Sequence, residues 1–141
     1  MKLLPKLAIA AIAIITSNYV IAATMTSTIP VKGGQALPGT FISISTNQLY
    51  DKVAYTLTCT IRNNNINAGE KSDFSLYSGT GTVSIDGKNI NIGAATVSHF
   101  NSKGSVLKIT PVQKTTDNIV IRNLDFTDTI SVDNCNAYLI G

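Results

Sequence analysis

From Val53 to Ile61 the side chains change character at every step. Val53, Tyr55, Leu57, Cys59 and Ile61 fall on one parity, and Ala54, Thr56, Thr58, Thr60 and Arg62 on the other. Successive side chains of a strand point to opposite faces of its sheet, so nine residues of strict alternation predict a half-buried β-strand. The threonines suit the same pleated setting. Shorter alternations recur in FISIS (41–45), DFSLYS (73–78), TVSID (82–86), NINI (89–92), ATVSHF (95–100), SVLKITP (105–111), NIVIRN (118–123) and TISVD (129–133). The C-terminal CNAYLIG places Cys135, Ala137 and Leu139 on one face. Beyond the first two dozen residues, no window carries the three-and-four spacing of an amphipathic helix.

Turn chemistry separates these runs. NNNINAGE (63–70) is a polar loop, and Asp86-Gly87 between Val83/Ile85 and Ile90/Ile92 is a hairpin signal. NSKGS (101–105) reads as a tight turn in which Gly104 takes positive φ. GGQALPG (33–39) reads as a break between an N-terminal arm and the first strong strand. Eight to ten short strands so spaced predict an all-β fold, a single small antiparallel β-sandwich, with a small β-barrel as the alternative. The chain has no tryptophan and no tyrosine-corner pattern before Cys135, which argues against an immunoglobulin domain. Short strands and a terminus without an aromatic residue argue against an outer-membrane barrel.

The start of the chain follows a different logic. Lys2 and Lys6 precede an apolar run from Leu7 to Ile15. Polar Thr16, Ser17 and Asn18 come next, then Val20-Ile21-Ala22-Ala23. This order is that of a secretory signal peptide, residues 1–23, cleaved after Ala22 or Ala23. A spanning helix needs about 20 apolar residues, more than this run supplies. No second such run follows, so no membrane span is expected in the mature chain. The expected organisation is therefore a signal peptide, an arm or edge strand over 24–40 and an antiparallel β domain over 41–141. The expected location is secreted or periplasmic. Thirteen asparagines occur, and none opens an N-x-Ser/Thr acceptor, which suits a bacterial export product.

Cleavage changes the charge balance. The full chain carries a net charge of +3, but without Lys2 and Lys6 there are 9 basic against 8 acidic side chains. The remaining charges are scattered singly, without basic clusters or interleaved aromatics. Nucleic acid is therefore not an expected partner.

The two cysteines, Cys59 and Cys135, form an even set in an exported chain and are expected to be bridged. A metal centre would need more ligands than two cysteines and His99 supply. A reactive thiol fits poorly with the place of Cys59 in an apolar row. Loop-closure entropy assigns such a bridge roughly 4 kcal/mol.

Residues able to carry chemistry are few. His99 is the single histidine, and a serine-type triad would pair it with Ser98 or Ser43, but no nucleophile-elbow signature is present. Glu70 with Asp73 would have to face one another for glycoside hydrolysis, and Asp125, Asp128 and Asp133 lack a calcium-loop spacing. Structural or solvated roles account for each, so no catalytic residue, metal ligand or cofactor is assigned. Thr56, Thr58 and Thr60 form a row that would suit a flat ligand only if neighbouring strands repeated it. MTSTIPV (25–31) alternates and would serve as this protein's own edge strand, with Pro30 on the edge, or as a donor strand for a neighbouring copy. The leading expectation is an exported non-enzymatic β-domain that binds a protein or surface glycan, or inhibits an enzyme. The alternatives are a pilus-like assembly subunit using the arm and a small secreted hydrolase using His99.

Overall fold

A computed structural model describes residues 27–78 and 81–140; the expected signal peptide lies outside them. They form eleven strands: β1 (Thr28–Val31), β2 (Gly34–Ala36), β3 (Phe41–Ile44), β4 (Tyr55–Asn63), β5 (Lys71–Tyr77), β6 (Thr82–Ile85), β7 (Lys88–Ile90), β8 (Ser98–Asn101), β9 (Ser105–Val112), β10 (Ile119–Asn123) and β11 (Ile130–Leu139). One sheet runs β1-β11-β4-β9-β6-β7, with β2 beside β1 on the same edge of β11; the other runs β3-β10-β5-β8. All pairings are antiparallel, and the two sheets are not joined into a barrel. The architecture is the sandwich.

The core is built from the alternation. Tyr55, Leu57, Cys59 and Ile61 of β4 are buried while Thr56, Thr58, Thr60 and Arg62 are partly exposed. The strand begins two residues later than the pattern predicts and runs on to Asn63. Phe74 of β5 and Phe100 of β8 meet edge to face at 5.6 Å between ring centres, on the inner face of the four-stranded sheet.

Two expectations are corrected. TISVD and CNAYLIG are not separate strands but one, β11. Its pairing with β4 shifts between Asp133 and Asn136, and Asn134 sits at φ 51°. This is a β-bulge, in which one extra residue reverses the parity of the strand beyond it. Ile130 and Val132 are buried before it, and Cys135 and Ala137 after it. The second correction concerns GGQALPG, which contains β2 rather than only a break. Glycine is required at 33, where a Cβ would lie 1.9 Å from the Val132 carbonyl oxygen.

The hairpin at Asp86-Gly87 takes φ of 49° and 85°, the left-handed pair that a two-residue turn of matching twist demands. Cys59 and Cys135 are bridged and join the neighbours β4 and β11. The arm residues Thr28–Val31 pair with the protein's own β11.

Candidate functional site

Strand directions sort the connections into two poles. Leu139 N–H donates to Ser27 O at 2.9 Å, so both ends of the described chain meet at one pole. The opposite pole carries residues 37–40 after β2, 64–70 after β4, the Asp86-Gly87 turn, 102–104 before β9, and 124–129 between β10 and β11.

Three of these loops are held by two buried asparagines. Asn123, at the end of β10, is fully buried. Its Nδ2 donates to Ala36 O at 2.9 Å and to Asp128 O at 2.8 Å, and its Oδ1 accepts Asp125 N–H at 2.8 Å. Its backbone also takes Gly39 N–H and donates to Thr40 O. At the end of β4, Asn63 Nδ2 lies 3.0 Å from Ser72 Oγ and 3.1 Å from an Asp128 carboxylate oxygen, while Oδ1 accepts Asn65 N–H at 2.8 Å. Asn65 Nδ2 donates to the other Asp128 oxygen, and Asn64 N–H to Thr129 O. Asparagine suits these positions because one amide supplies two donors and an acceptor without bringing a charge into the interior.

On these braced loops the chain displays large apolar side chains outward. Phe126 is 95 % exposed, Ile66 85 % and Leu37 64 %. A single exposed apolar side chain carries little information. Three at one pole, on loops fixed to one another by buried amides, mark a surface suited to contact. The polar pattern NNNINAGE singles out the 63–70 loop but not Ile66 within it, and nothing in the sequence pattern singles out Phe126 or Leu37.

The residues weighed for chemistry are distributed differently. His99 Nδ1 contacts Asp73 Oδ1 across the β5–β8 register, on the outer face of the four-stranded sheet. Ser98 is buried on the opposite face of the same strand, and Ser43 lies on β3, with β10 and β5 between it and β8. His99 is thus brought to an acid but to neither serine. Glu70 lies at the end of the 64–70 loop, where its carbonyl accepts Ser102 N–H. Asp125 and Asp128 converge on Asn63, whereas Asp133 pairs with Arg62 at 3.3 Å. Among the described residues, no group of three or more His, Cys, Asp or Glu side chains is placed to hold a metal ion. Thr58 is flanked across its sheet by Lys108 and Asn136, and Thr60 by Val106 and Asp133, so neighbouring strands do not extend the threonine row there.

No protein-family model, characterised protein or solved structure matches this chain.

Proposed function

We propose that this chain is an exported, non-enzymatic binding module that engages a protein partner through its loop pole, with Ile66 and Phe126 entering apolar recesses of that partner. The observation that carries this reading is their near-complete exposure on loops fixed by the Asn63 and Asn123 amides. Burying a side chain of this size contributes about 1.5–3 kcal/mol. Loops ordered before contact lose less conformational entropy on binding, so more of that contribution survives as affinity. A protein is favoured over a glycan because Ile66 and Leu37, two of the three exposed side chains, offer a sugar neither a ring to stack on nor a hydrogen bond. Assembly through the arm is less favoured, since β1 already fills the edge beside its own β11.

Affinity capture with the oxidised mature protein provides the test. Ile66→Ser combined with Phe126→Ser should abolish recovery of the partner. Tyr138→Ser combined with Ile140→Ser, which removes exposed apolar groups at the opposite pole, should leave it intact. Equal recovery by both double variants would reject the loop pole as the binding surface.

A further inference from the structure

The sandwich is closed differently along its two sides. Beside β2 the sheets approach one another, with β2 lying against β3. On the other side the edge strands β7 and β8 bound an open groove of about 870 Å³. Ile85, Ile90 and Phe100 give it an apolar lining, and Lys71, Lys88 and Lys103 also line it. None of these three lysines is in an ion pair or side-chain hydrogen bond among the described residues. Two acids line the groove as well, Glu70 and Asp86. The Asp86 carboxylate is already engaged, accepting Val106 N–H at 2.8 Å and the Ser105 hydroxyl at 2.7 Å. His99 is turned to Asp73. The balance in the groove favours an anion.

One wall also offers backbone. Asn101 N–H donates to Ser105 Oγ and its carbonyl accepts Gly104 N–H, so the main-chain groups of Asn101 point away from β5. Main-chain direction alternates along an antiparallel strand, and His99 therefore points the same way. Its N–H and C=O have no partner among the described residues. An unpaired strand edge is a template for an added strand. Lys71 on the neighbouring β5, Lys88 on the facing β7 and Lys103 in the turn after β8 surround this edge, and their charges favour an acidic guest.

We propose that the groove between β7 and β8 is a second binding site, which takes an extended acidic segment of another protein as a strand added to β8. The site is independent of Ile66 and Phe126. Residues of the guest that point inward rest on Ile90 and Val97, and its carboxylates meet Lys71, Lys88 and Lys103.

The test uses a fluorescein-labelled octapeptide of alternating Glu and Val, its counterpart of alternating Lys and Val, and a heparin hexasaccharide, each titrated by fluorescence anisotropy or competition. The acidic peptide should bind and weaken as salt is raised, because its contacts are screened within a Debye length of roughly 10 Å at 0.1 M. Lys71→Gln, Lys88→Gln and Lys103→Gln together should weaken it about tenfold or more. Ile66→Ser with Phe126→Ser should leave its affinity unchanged, which separates this site from the surface that Ile66 and Phe126 form. Amide NMR of the complex should shift His99 N–H and slow its exchange. Near-UV circular dichroism establishes that each variant is folded. No binding of the acidic peptide, equal binding of the basic one, or an unaltered triple variant would overturn the proposal. Heparin bound in a lysine-dependent way without acidic-peptide binding would assign the groove to anionic glycans instead and equally overturn it.

Discussion

Asn123→Asp is the sharpest perturbation of the loop pole, because it changes donors to acceptors at nearly constant volume. The amide orientation is fixed by its surroundings: two carbonyls, Ala36 O and Asp128 O, face Nδ2, and one N–H, from Asp125, faces Oδ1. In the variant the Asp125 bond survives. The other two are lost, at about 0.5–1.5 kcal/mol each, and both carbonyls are left facing a carboxylate in a site with 0 % exposure. Adding the penalty for a buried, unpaired charge brings the expected loss to about 3–5 kcal/mol at neutral pH. The pH dependence carries a sign. Burial and the two carbonyls favour the neutral acid, so the introduced group has its folded pKa raised above the unfolded value. Such a group destabilises little below the unfolded value of about 3.9. The deficit then widens as pH rises towards the folded value and is flat above it. Urea denaturation of both proteins, with the disulfide intact, at pH 7 and at about pH 3.5 measures the difference between them. A variant within about 1 kcal/mol of the parent at neutral pH would refute the bridging role of Asn123, since even the lower bound on two lost bonds reaches that figure. A deficit that grows towards acid would refute the electrostatic reasoning.

Other expectations follow from the core and the surface. Leu57→Ala should cost about 2–5 kcal/mol through lost burial and a residual cavity, whereas Thr58→Ala on the outer face should cost no more than about 1 kcal/mol; chemical denaturation decides, and a larger cost at Thr58 would contradict the register of β4. The Ile66→Ser and Phe126→Ser pair should leave stability within about 0.5 kcal/mol per site, as exposed positions do, so a partially unfolded double variant would show that these side chains pack rather than project. Intact-mass measurement of freshly purified native protein should show the two-hydrogen gain on reduction that a Cys59–Cys135 bridge requires; two free thiols would exclude it.

The sequence was most informative where pairing and burial shared one rhythm. In β4 the period-two rule assigns every side chain from Tyr55 to Ile61 to its observed face. It failed in β11 for a definite reason. Buried apolar positions there are even-numbered at Ile130 and Val132 and odd-numbered at Cys135 and Ala137, so a periodicity reading breaks at Asn134, although the backbone continues. Gly34–Ala36 was missed because a three-residue, glycine-led strand has little propensity of its own; its pairing with β11 makes it a strand. The exposed loop residues were hidden for another reason. Exposure of Phe126 is a property of the finished fold, and a lone aromatic in DFTDT reads equally as a buried plug. Lys71, Lys88 and Lys103 are scattered along the chain, and only the facing of β7 and β8 brings them to one groove.

The meeting of the two ends of the described residues at one pole also sets how this part of the protein responds to tension. A force applied through Ser27 and Ile140 pulls β1 and β11 apart from their shared end, so their rungs load one after another, beginning at Leu139 and Ser27. This is an unzipping geometry, which yields at lower force than shearing a whole strand at once. The covalent link to Cys59 halts it: of β11, only the residues beyond Cys135 can be peeled from β4 before the load passes into the bridge. Pulled by its ends, the molecule should extend in a short first step as the arm and the last residues detach. The loop pole, lying beyond the bridge from the point of attack, would keep its shape through that step.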